Sequence, residues 1–151
     1  MTTKLSDPIM SLYPFLSARF CVELKGLYEG FFTECNGLQM TTEVFEYKEG
    51  GVNNYTHKLP VRTSFSNVTL KHGMTPGVEL WEWYQKTVQL KAEPRDMSIV
   101  LYSHQEPGKP LRRWNFSRAY PIKWTGPDFK VSDSSHAIET IEIVHSGFKL
   151  G

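Results

Sequence analysis

A chain of 151 residues with 17 Lys plus Arg against 16 Asp plus Glu carries a formal net charge of +1, which excludes the strong global field that draws nucleic acid or an anionic membrane. Its length suits one core and leaves no room for a second independent domain, and a composition 40% hydrophobic, 13% aromatic and 22% charged excludes wholesale disorder. Absence of an apolar run of about 18 residues excludes a spanning helix, so the product is expected to begin as a soluble cytoplasmic protein.

The first stretch, MTTKLSDPIMSLYPFLSARF, carries Asp7, two prolines and Arg19 and has neither the apolar run nor the cleavage site of a secretion signal. A strand is expected over 15–24, where Phe20, Val22 and Leu24 alternate with Arg19, Cys21 and Glu23. Gly26 marks a turn, and a second strand over 30–35 ends at Asn36-Gly37, a dipeptide suited to positive φ. The run 39–47, QMTTEVFEY, is rich in β-branched and aromatic residues. It is followed by Gly50-Gly51 and Asn53-Asn54 and a return through 55–59, the pattern of a long hairpin.

A strand over 65–71 precedes Thr75-Pro76-Gly77, which opens the one expected helix, VELWEWYQKTVQL. Leu80, Trp81, Tyr84 and Val88 fall at i, i+1, i+4 and i+8 and lay an apolar stripe along it, expected to pack on the sheet or to form an interface. Glu79 and Glu82 stand early and Lys86 late, as the helix dipole favours, and Pro94 stops continuation. Strands over 97–102, 111–120 and 137–144 complete the set, with a loop at 106–110. About seven β segments with one inserted helix predict a mainly β fold, an antiparallel barrel or sandwich with one flanking helix and a long hairpin.

Chemistry is sparse. The histidines at 57, 72, 104, 136 and 145 are dispersed, and no nucleophile elbow, zinc, phosphate-loop or dinucleotide motif occurs. Cys21 and Cys35 lack zinc-ligand spacing and read as buried reduced thiols. Glu43, Glu46 and Glu49 could serve as acid and base in a small hydrolase, but a carboxylate row near a hairpin tip reads first as a solvated face. Arg112-Arg113-Trp114-Asn115-Phe116 interleaves cations and rings as single-stranded nucleic-acid platforms do, while the plainer reading is an alternating strand with Trp114 and Phe116 inward. No catalytic residue, cofactor or metal is assigned. Two features strain the picture of a monomer: a hairpin whose faces one helix cannot cover, and a load of four Trp, seven Tyr and nine Phe.

The segments EVFEYKEGGVNNYTHKLPVRTSFSNVTLKHGMT, ELWEWYQKTV, RRWNFSRAYPIKWTGPDF and AIETIEIVHSGF, in this order, resemble the tail tube family of contractile phages and extracellular contractile injection systems over residues 13–150. The resemblance implies a barrel or sandwich shared with the type VI secretion tube protein, six copies closing into a ring and rings stacking into a hollow tube. It further implies a surrounding sheath, a baseplate or tube initiator, a terminal cap, and effector or DNA cargo in the lumen. On this basis the hairpin residues Glu43, Glu46, Lys48, Glu49, Gly50, Gly51 and Asn53 are expected at the lumen or between subunits, with Glu46 and Glu49 favoured inward. Residues 1–14 are a longer extension than the family pattern and are expected at inter-subunit contacts. That extension and Pro76-Gly77 leave both the repeating subunit and a tube-initiator paralogue open.

Overall fold

The computed structural model describes residues 19–25, 28–51, 54–73, 77–103, 106, 108–131 and 137–151. The extension at 1–14, the start of the first expected strand, the turn at Gly26, Asn53 and Pro76 lie outside the described residues. In chain order the elements are β1 (Arg19–Leu24), β2 (Tyr28–Phe32), β3 (Glu34–Asn36), β4 (Met40–Tyr47), β5 (His57–Phe65), β6 (Val68–Gly73), α1 (Glu79–Val88), β7 (Arg95–Tyr102), β8 (Pro110–Thr125), β9 (Ile138–Val144) and β10 (Phe148–Leu150). All their pairings are antiparallel.

The main sheet runs β2-β1-β7-β8-β9-β6-β3. Because β2 and β3 are separated by Thr33 alone, its two ends are consecutive pieces of one chain and the sheet closes on itself as a small barrel. Thr33 makes the seam: its N–H and its hydroxyl both donate to the Lys71 carbonyl, at 2.9 and 3.0 Å. The strand expected over 30–35 is thus two strands with a bend.

A second bend lies where β8 passes from β7 to β9. Arg118 sits there at φ 53, and Pro121, which has no N–H to give a ladder, falls beside a register shift. This is how β8 extends to Thr125, beyond the expected end at Tyr120. Opposite the bend, β9 and β10 follow the same edge of β8, with Tyr120 paired to Val144 and Phe116 to Phe148. The Ser117 N–H donates to the Gly147 carbonyl at 3.0 Å, and the Ser146 N–H to the Ser117 carbonyl at 2.9 Å.

Alternation then fills the barrel. Val22, Leu24, Val68, Leu70, Met97, Ile99, Phe116, Ile141 and Ile143 form one buried core, each fully buried aliphatic contributing about 1.5–3 kcal/mol of transfer free energy. Cys21 and Val100, on the other face of β1 and β7, are also fully buried.

The helix corrects one expectation. Leu80 and Trp83 are its buried residues, whereas Trp81 keeps 40% and Val88 57% of their surface exposed. The inward face therefore runs 80, 83, 84 and 87, at helical spacings of three and four. Trp83 enters the core because its indole N–H donates to the Glu93 carbonyl at 3.0 Å, so no polar group is orphaned. Trp81 is rotated outward and stands edge-on to Trp124, centroids 4.6 Å apart.

The helix ends in a Schellman turn, with Leu90 N–H on the Thr87 carbonyl and Lys91 N–H on the Lys86 carbonyl. The residue required to take positive φ is Leu90, at φ 58 and 94% exposed. Glycine takes this conformation without the Cβ clash. Leu90→Gly is therefore expected to raise unfolding free energy by about 1 kcal/mol, read by urea denaturation of unassembled protein; an unchanged or lower midpoint would show that the turn carries no such strain.

Candidate assembly surface

The hairpin of β4 and β5 is a separate two-stranded sheet. It leaves the barrel between β3 and β6, and α1 follows the other end of β6, so hairpin and helix depart from opposite ends of that strand. Its base is closed by the Ser66 N–H donating to the Gln39 carbonyl at 3.1 Å. Gly37 makes the turn into it at φ 95, the positive φ anticipated for Asn36-Gly37.

Every residue of β4 is exposed, as are all but the two ends of β5. Register matches Glu43 with Arg62 and Val44 with Pro60, leaving Val61 as the extra residue of a bulge at the proline, where a strand tolerates one. Because the extra residue is in β5, alternation along β4 is unbroken. One face carries Met40, Thr42, Val44 and Glu46 with Lys58, Pro60, Thr63 and Phe65; the other carries Thr41, Glu43, Phe45 and Tyr47 with His57, Leu59, Arg62 and Ser64.

The two faces differ in character. On the first, Thr42 and Thr63 hydroxyls meet at 3.0 Å and Lys58 stands 3.5 Å from Glu46. On the second, Phe45 stacks on Tyr47 and Tyr47 on His57, with centroids 6.5 and 4.9 Å apart. At the tip, Glu49 lies 2.9 Å from His57 Nε2, beside exposed Lys48, Gly50 and Gly51. Glu43 and Glu46 point to opposite faces, as alternation along the strand leads one to expect. Residues 40–65 hold three acids, Glu43, Glu46 and Glu49, against Lys48, Lys58 and Arg62, so the whole hairpin balances where the stretch ending at Leu59 reads as acidic.

The remaining candidates take structural places. Arg113 bonds Glu23 across the sheet at 2.7 and 3.3 Å, and these bonds raise its guanidinium pKa. Phe116 is buried and Trp114 packs against the core, which removes both rings from a base-stacking role; Arg112 is exposed. Cys21 is buried, and burial pushes the Cys35 thiol up to about 11, far from a reactive thiolate.

A feature without sequence signal is a buried polar cluster. His72 Nε2 stands 2.9 Å from Glu139 Oε2, Trp124 donates to the same carboxylate, and Phe32 covers His72 at a centroid distance of 4.7 Å. Among the described residues no three His, Cys, Asp or Glu side chains are grouped to hold a metal ion, and no helix is long and apolar enough to cross a membrane.

The architecture is thus a closed antiparallel barrel with its own core and one outlying sheet exposed on both faces, which is its distinctive surface. The chain belongs to the T4-like virus tail tube protein gp19 family, which it matches over residues 16–149.

Among solved structures it is similar to a chain of the PVC sheath-tube complex, an extracellular contractile injection system in its extended state, with 26% identity, 97% of each chain covered and a TM-score of 0.78. It is also similar to a chain of the anti-feeding prophage tube-terminating cap, at 30% identity, covering 92% of this chain and 91% of that one, TM-score 0.78. Hcp1 from Flavobacterium johnsoniae shares the fold, at 16% identity, 88% and 94% coverage and a TM-score of 0.55. No curated protein sequence matches it. The fold, the family and the role as a structural tube protein therefore agree with the sequence reading.

Proposed function

We propose that this single-domain chain is the repeating subunit of the inner tube of a contractile injection particle, closing six to a ring through its hairpin, with rings stacked inside a sheath. The observation that carries this reading is the hairpin: an eight-residue and a nine-residue strand with exposed faces and outer edges that no other strand pairs among the described residues, the kind of surface that an adjacent copy completes. A partner sheath, baseplate or initiator and terminal cap are supported by the complexes in which similar chains occur. Full-length similarity to the sheath-tube chain supports the repeating subunit over an initiator paralogue. Residues 1–14 are assigned to inter-subunit contacts, and assembly starts from cytoplasmic subunits.

The two hairpin faces suit different surroundings. The Thr42, Glu46, Lys58 and Thr63 face, interrupted by exposed Val44 and Pro60, carries the hydroxyl and ion pairs that suit a water-filled lumen passing effector or DNA cargo, whereas the face with Phe45, Tyr47 and Leu59 suits burial against a neighbour. On this reading Glu46 faces inward and Glu43 lies at the subunit boundary, while the tip residue Glu49, first expected inward, sides with the boundary face through its bond to His57. No step here requires a cofactor; sheath contraction supplies the work.

Deleting residues 48–54 is expected to leave a folded, soluble species that forms neither rings nor tubes, scored by negative-stain microscopy beside the parent chain. Normal tubes from the deletion variant would overturn the hairpin's role.

A further inference from the structure

We propose that His145 is a positioning residue: through the Ser66 carbonyl it sets the direction in which the hairpin leaves the barrel, and ring closure depends on that direction. The inference rests on the tube reading. His145 occupies the turn between β9 and β10, 79 positions from Ser66 along the chain. Its Nδ1 accepts the Gly147 N–H at 3.1 Å, and its Nε2 lies 2.9 Å from the Ser66 carbonyl. A carbonyl only accepts and an amide N–H only donates, so both contacts require the same ring form, neutral with hydrogen on Nε2.

The ring is caged as well as bonded. Phe116 stands edge-on at 4.8 Å, Phe65 tilts against it at 5.9 Å and Phe148 at 6.0 Å. Phe65 is the last residue of β5, and a Cβ on Gly147 would come within 3.1 Å of its ring. Three pieces of chain therefore meet here: the exit of the hairpin at Phe65 and Ser66, the bend of β8 at Ser117, and the β9–β10 turn. The hairpin gets no support from the barrel along its exposed strands, so its direction is decided at its base. Phe65 also packs edge-on against Phe148, centroids 5.6 Å apart, and Asn67 donates to Glu142 at 2.9 Å, but the hydrogen bond to the Ser66 carbonyl that ties this base to the barrel's bend comes from His145.

The two ring nitrogens can be separated by substitution. Asn sets an acceptor where Nδ1 stands and keeps the Gly147 bond while losing the link to Ser66. Gln reaches the position of Nε2 with an N–H donor and keeps that link.

In His145→Asn the Ser66 amide of unassembled protein, which donates to the Gln39 carbonyl, is expected to exchange its hydrogen about fivefold faster, because opening the hairpin base no longer has to break the His145 bond to the Ser66 carbonyl as well, with the far-ultraviolet spectrum unchanged and rings lost by microscopy. His145→Gln is expected to restore both the slow exchange and the rings. The inference is overturned if Asn leaves exchange and rings as in the parent chain, or if Gln folds and fails as Asn does. Should Asn not fold, the Gln variant alone decides: parental exchange and rings support the link, and their loss overturns it. A parent chain that stays monomeric at every concentration would sink the tube reading and the assembly clause with it, while exchange at Ser66 still tests the link from His145 to the hairpin base.

Discussion

Replacing Trp83 with Ala is expected to remove about 3–5 kcal/mol of unfolding free energy, a large share of the roughly 5–15 kcal/mol that holds a domain of this kind. The ring is only 1% exposed, and its N–H is satisfied by the Glu93 carbonyl. Ala leaves both a cavity beneath α1 and an acceptor without its donor. The loss should spread, because the same loop carries Glu93 to Lys86 at 2.9 Å and to Arg95 at 3.2 Å, contacts that hold the Glu93 carboxyl below its ordinary pKa, the Lys86 hydrogen bond foremost. Trp81→Ala is the control. Trp81 is 40% exposed and touches Trp124 edge-on, so about 1 kcal/mol is expected. Urea denaturation of both variants in an assembly-deficient background checks the ranking, and equal losses would refute the assignment of the buried face.

Gly37→Ala is expected to cost about 3 kcal/mol or more and to displace the hairpin. Gly37 has φ 95, a conformation L residues rarely take, and an added Cβ would overlap the Asn67 carbonyl oxygen. That oxygen belongs to backbone and cannot rotate aside as a side chain could. The strain falls on the base of the hairpin, between Gln39 and Ser66, while β1, β7 and β8 are remote in register. The variant should therefore keep a folded barrel, lose hydrogen-exchange protection along β4 and β5, and form no tubes. Parental protection in β4 would show that the turn can absorb a side chain.

The strands that were legible in the sequence are those whose alternation and turn residues agree. The hairpin is one: the β-branched and aromatic run ending at Tyr47 and the Gly50-Gly51 tip mark it plainly. The end of β8 was not legible, because Pro121 reads as a stop unless a bulge is known to receive it. The helix was found but its rotation was not, since Trp81, Trp83 and Tyr84 crowd one turn and apolarity alone does not rank them. The hydrogen bond available to each ring does, and its partner lies ten residues away at Glu93. Closure of the sheet at Thr33, the His72 and Glu139 pair and the bond from His145 to Ser66 depend on contacts between distant stretches, for which periodicity carries no signal. The candidate assembly residues were legible as a hairpin, and alternation along β4 already sets Glu43 against Glu46; which residues of β5 share their faces follows from the extra residue at Val61.

Closure of the main sheet has a consequence for how such a chain polymerises. With β2 and β3 joined through Thr33, the long free strand edges among the described residues are the outer edges of β4 and β5, and there are two of them. On the proposed tube reading the subunit has, in the language of polymer chemistry, a lateral valence of two, with both bonds made by one element. A monomer of that kind faces a competition between ring and open chain, and dilution favours the ring, because the last bond is intramolecular and its effective concentration does not fall with the bulk. Once the ring shuts, the lateral valence is exhausted. Growth along the tube must then draw on a different surface, so closure and stacking become separate steps with separate dependences on concentration.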